Sequence, residues 1–111
     1  MGKESAAKPV ADSVSDIERA FDAATAAIRA ESDAGRAYEG ATELVETLRR
    51  LFEKSADLRA ESAARIFDTE QMSLAVLADR IGVSKARAAQ LIKTAKSATE
   101  SQRDATTEDP K

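Results

Sequence analysis

The chain has 111 residues, a third of them charged, a formal net charge of −3, and neither cysteine nor histidine. That length holds one domain, or a small domain with an extension. The missing cysteine removes disulfides, thiolate metal sites and thiol nucleophiles, and the missing histidine removes the commonest general base and zinc ligand. Three Phe, one Tyr and no Trp permit only a modest core. Abundant Ala, Leu, Arg and Glu, with only four Gly and two Pro, predict an all-α chain, because those residues lose little on entering a helix.

Residues 1–12 are small and polar, contain Pro9, and are expected to form a disordered tail. Their charged start is not followed by an apolar run, so they do not read as a secretory signal. Ala6 stands where a myristoylation pattern wants Ser or Thr. The first helix is predicted from Ser15, where Ser15 and Glu18 fit a capping box. Ile17, Phe21, Ala24 and Ile28 follow at spacings that place them on one face. "ESDAGRAYEG" (31–40) reads as a helix end and loop, or as a weakened helix.

Residues 41–81 hold no glycine or proline. Leu44, Val45, Leu48, Leu51 and Phe52 form the strongest apolar stripe, and Leu58, Ala63, Ile66 and Phe67 continue it past a soft point at Ser55 and Asp57. One helix of about 27 residues fits, and so do two with a bend near Lys54. Residues 13–54 are therefore expected to be a helical dimerisation region, as a hairpin or a coiled-coil segment. Its stripes can pack on each other within the chain, join two chains, or do both in a four-helix dimer.

In "MSLAVLADRIGVSKARAAQLIKTAK" (72–96), Ser73 is placed to cap a short helix whose inner face is Leu74, Leu77, Ala78 and Ile81. Gly82 follows where a helix end wants a residue tolerant of positive φ. Val83 then points inward, Ser84 can cap the next helix, and Ala88, Leu91, Ile92 and Ala95 form its buried face. Charge is segregated here. Residues 73–97 carry five basic and one acidic side chain, whereas the balances of 1–56, 57–72 and 98–111 are −3, −2 and −2. Local field governs binding to a polyanion, since charges beyond roughly 8 Å are largely screened. Residues 98–111 have no aliphatic side chain larger than alanine and are expected to be a disordered tail.

The segment "LAVLADRIGVSKARAAQLIKTA" resembles the region 4 helix-turn-helix of bacterial sigma factors and its small bacterial relatives over residues 73–95. A similar pattern ends serine recombinases, whose catalytic domain has no counterpart in these residues. Ala88 departs from the family, which usually has Val or Ile there. The resemblance implies a tri-helical helix-turn-helix module over residues 55–97 that inserts helix 84–96 into the major groove. Lys85, Ala86, Arg87, Ala89, Gln90 and Lys93 would then face the groove. Arg87 would read guanine, Gln90 adenine, and Ala86 or Ala89 a thymine methyl. Ser84, Arg80, Lys93 and Lys96 suit phosphate contacts, which position without specifying, and Ser73 completes the expected DNA-binding set.

The expected function is sequence-specific binding of double-stranded DNA by a bacterial transcriptional regulator, cytoplasmic and nucleoid-associated. It would act as a homodimer that presents two recognition helices to half-sites about 34 Å apart. The alternative is an interaction module that docks to RNA polymerase or a sigma factor without reading DNA, which the acidic first half favours. An enzyme, a cofactor, a metal site and a membrane span are not expected. The carboxylates are dispersed among Lys and Arg as solvated pairs, and no apolar run approaches the roughly 20 residues of a span.

Overall fold

The computed structural model describes residues 8–107, with side chains as far as Glu100. These residues form four helices, α1 (Val10–Ala30), α2 (Ala34–Glu70), α3 (Leu74–Ile81) and α4 (Lys85–Thr107), and no strand. The all-α expectation holds. The chain divides into two compact units, residues 1–48 and 49–111, and α2 runs through both.

In the first unit α1 begins at Val10, so the disordered tail expected to reach Asp12 is corrected for residues 10–12, and its first seven residues lie outside the described ones. Pro9 is the reason. It has no N–H to lose and a φ of −57° that suits a helix start. Its carbonyl accepts from the Asp12 and Ser13 amides, both at 3.1 Å. Asp12 in the first turn complements the helix dipole, and Asp16 is paired with Lys8 and Arg19. Ser15 therefore lies inside the helix, and the predicted capping box is not used.

Only Glu31–Asp33 separate α1 from α2, and Gly35 and Gly40 are helical, so the loop is shorter than "ESDAGRAYEG" suggested. Asp33 caps α2 by accepting from the Arg36 amide at 3.1 Å through Oδ1 and from the Ala37 amide at 2.9 Å through its carbonyl. A Cβ on Gly40 would lie 3.4 Å from Ile28 Cγ1, an ordinary van der Waals contact, so packing does not require glycine there.

α2 is a single helix of 37 residues. The soft point does not bend it into two elements. Ser55 Oγ donates to the Leu51 carbonyl at 2.7 Å, within the helix. α2 ends at Glu70, and Gln71 takes φ 45°, the left-handed conformation that commonly closes a helix.

The second unit holds every fully buried side chain of the described residues, and five of those seven are alanine. Ala60 and Ala63 of α2 pack on Leu91 and Ala95 of α4. Leu77 and Ala78 of α3 pack on Ala88 of α4, with Ile66, Phe67, Met72 and Val83 around them. Small side chains let the helices approach closely and bury little area each. Ala88 is fully buried against Leu77 and Ala78, so the departure at this position still lies within the packed α3–α4 contact.

The disordered tail expected from Ala98 is corrected for residues 98–107, which continue α4; residues 108–111 lie outside the described ones. "ATESQRDATT" contains no glycine or proline, and extending a helix already anchored by packing needs no new nucleation.

Candidate nucleic-acid interface

The interface candidate is built from two serine caps and one glycine. Ser73 Oγ accepts from the Val76 amide at 3.2 Å and starts α3. Gly82 closes α3 at φ 75°, ψ 35°, and its N–H and that of Val83 both donate to the Ala78 carbonyl. Ser84 Oγ accepts from the Arg87 amide at 3.0 Å, and its carbonyl accepts from the Ala88 amide at 2.9 Å, so α4 starts one residue later. Three residues thus set the direction in which α4 leaves α3.

That direction places Ala88, Leu91 and Ala95 inward. Lys85, Ala86, Ala89, Gln90, Lys93 and Lys96 are exposed, and Arg87 is half-buried at the margin. Ala86, Arg87, Ala89, Gln90 and Lys93 line one shallow depression on this outer face. Two exposed alanines, Ala86 and Ala89, stand among its longer side chains. Arg87 Nη1 donates to Gln90 Oε1 at 2.9 Å, one helical turn away, which holds the two polar groups together. From Lys85 to Ser97 there are four basic residues and no acidic one.

The other predicted residues stand apart from this face. Ser73 is at the start of α3, with its oxygen engaged in the cap. Arg80, in the last turn of α3, forms a two-pronged pair with Glu70 at the end of α2, with Nη2 donating to Oε2 at 3.1 Å. The hydrogen bond from Arg80 holds the Glu70 carboxyl below its ordinary range, and the same bond raises Arg80 further. Arg80 is thus committed to fastening α3 to α2, and a phosphate would have to compete with Glu70.

The reading by residue pattern missed what α2 brings alongside. Asp57, Leu58 and Glu61 share a cleft with Gln90, Lys93 and Thr94. Arg59 and Ser62 border Arg87 across a second cleft. Helical spacing groups 54, 57, 58 and 61 on one face of α2, but only the packing of α4 shows which face adjoins it. Among the described residues no cluster of three or more acidic side chains could hold a metal ion, and no helix is long and apolar enough to cross a membrane. Comparison with protein families, curated proteins and solved structures finds no match to this chain.

Proposed function

We propose that the chain is a sequence-specific DNA-binding protein, a bacterial transcriptional regulator in which the end of α2, α3 and α4 act as a tri-helical helix-turn-helix module. The observation that carries this reading is the outer face of α4. A capped helix start presents Lys85, Arg87, Gln90 and Lys93 around two alanines, with no carboxylate on the helix before Glu100. A helix of this kind fits the major groove, and its first turns meet base edges. Arg87 and Gln90 are the readers; Lys93 and Lys96 position the helix on phosphates.

A homodimer accompanies the proposal. α1 buries no residue, and Val10, Val14, Ile17 and Phe21 form an exposed apolar stripe at spacings of four, three and four. Within the same unit Val45 and Leu48 are also exposed. Such stripes are stable in water when another apolar face covers them, and a second copy forming a four-helix contact does so. Two linked weak contacts then bind a two-half-site operator far more tightly than one.

Selection of bound sequences from a random duplex pool tests the reading. An inverted-repeat consensus is the expected result; recovery of unenriched sequence would overturn it. Docking to RNA polymerase or a sigma factor is the second reading, favoured by Asp57 and Glu61 beside Gln90 and Lys93, since carboxylates there suit a basic protein surface. A steep loss of DNA affinity with salt separates the two.

A further inference from the structure

The second cleft, about 320 Å³, has a floor of Ala63, Ile66, Ile81, Val83 and Leu91 and a rim of Arg59, Ser62 and Arg87. Its size is at the lower end of small-molecule sites, which combine apolar walls with a few placed polar groups. No carboxylate lines it. Three arginines of the chain have acidic partners: Arg19 with Asp16, Arg36 with Glu31, Arg80 with Glu70. Arg59 and Arg87 have none among the described residues. Their own helices offer none, because the positions three and four residues away on either side are Ser, Ala, Val, Leu or Gln. Two uncompensated guanidinium groups above an apolar floor are complementary to an anion with an apolar body.

We propose that this cleft binds a small aromatic or branched carboxylate and that the ligand regulates the DNA-reading face, an inference that rests on the reading above. The apolar part lies on Ile66, Ile81 and Leu91, and the carboxylate accepts hydrogen bonds from Arg59 and Arg87. Arg87 belongs to both sites. A carboxylate that engages it withdraws it from a guanine, so ligand and operator bind antagonistically, and the coupling is reciprocal.

Phenylacetate is a suitable probe, with neutral phenylacetamide as its control, read by methyl and amide NMR on the full chain without DNA. Phenylacetate shifts Ala63, Ile66, Ile81 and Leu91 saturably, with a dissociation constant on the order of 1 mM. Phenylacetamide and the Arg59→Ala variant each weaken this about fivefold or more, while Arg59→Ala keeps the dispersed spectrum of the wild type. Unshifted floor methyls, or equal binding of the amide, would overturn the site. Equal competition by inorganic phosphate would assign the two arginines to a phosphate backbone instead and likewise overturn it. These outcomes do not depend on whether the protein binds DNA. Fluorescence anisotropy on the selected duplex then tests the coupling. Saturating phenylacetate weakens the duplex about fivefold or more; an unchanged affinity refutes the regulatory part.

Discussion

Replacing Gly82 by alanine isolates the backbone term that sets the direction of α4. At φ 75°, ψ 35° Gly82 is left-handed, and a Cβ built there meets no atom within 4 Å. No clash contributes, so the cost is conformational alone. A left-handed L-residue costs about 1–2 kcal/mol. The unfolded chain loses freedom when glycine becomes alanine, which offsets about 0.4–1 kcal/mol. The balance is a destabilisation of about 1 kcal/mol, or about 4 °C in Tm for a chain of this size. Gly82→Asn recovers part of it, since asparagine tolerates this conformation. Gly40→Ala is the control of opposite sign. Gly40 lies within α2, and its Cβ would meet Ile28 Cγ1 at 3.4 Å, an ordinary contact. That change stabilises by about 0.5–1 kcal/mol, the usual gain of alanine over glycine in a helix. Urea unfolding followed by far-UV circular dichroism at one fixed protein concentration measures both. A neutral or stabilising Gly82→Ala would refute the left-handed turn and with it the placement of α4.

Four further substitutions test other parts of the fold and site. Leu77→Ala removes the largest side chain with no exposed surface among the described residues and costs about 2–5 kcal/mol in the same urea experiment; a loss under 1 kcal/mol would contradict the assigned core. Glu70 has a lowered pKa, so its pairing with Arg80 contributes fully above the ordinary value of 4.5 and is lost as pH falls through the lowered one. Glu70→Gln therefore flattens the acid limb of Tm against pH, and a variant with an unchanged acid limb would remove the pair's role. Arg87→Ala costs about 1–3 kcal/mol on the selected operator and relaxes one base position; undiminished binding to every sequence means that Arg87 is not a reader. Light scattering gives two chains for the wild type and one for Phe21→Glu with helicity retained, and a monomeric wild type at high concentration refutes the dimer.

What the sequence made legible was local chemistry. Ser73, Gly82 and Ser84 act in the structure as their residue types require, because each role is decided by bonds within four or five residues. The buried positions Leu77, Ala78, Ala88, Leu91 and Ala95 followed from helical periodicity. The helix ends were less legible. Pro9 as an N-cap competes with the Ser15–Glu18 capping box, and both are acceptable chemistry; the longer helix satisfies more backbone. Asp33 was hidden by the glycines around it, which read as loop until a capped helix absorbs them. Residues 98–107 looked solvated, which they can be while still helical. The least legible features were those made by two helices at once. The Arg80–Glu70 pair spans ten residues across a turn, and the clefts need α2 and α4 in register.

The carboxylates beside α4 bear on how a protein of net charge −3 could discriminate among DNA sequences. Non-specific affinity comes from phosphate neutralisation and grows with every basic residue near the duplex. The face of α4 keeps few such residues, and Asp57 and Glu61 stand next to Gln90 and Lys93. On the proposed reading, a duplex in the intended register would have its phosphates at Lys93 and Lys96, with base edges opposite Arg87 and Gln90. One displaced toward α2 would bring phosphates to Asp57 and Glu61, two carboxylates against the single lysine, Lys54, that α2 gives to that cleft, and would lose the base contacts together. Repulsion of the wrong arrangement raises the specificity ratio without strengthening the right one. It follows that Asp57→Asn with Glu61→Gln should raise affinity for random duplex more than for the operator. The acidic residues of α2, which weighed against DNA in a count of charges, then belong to the selectivity of the same face.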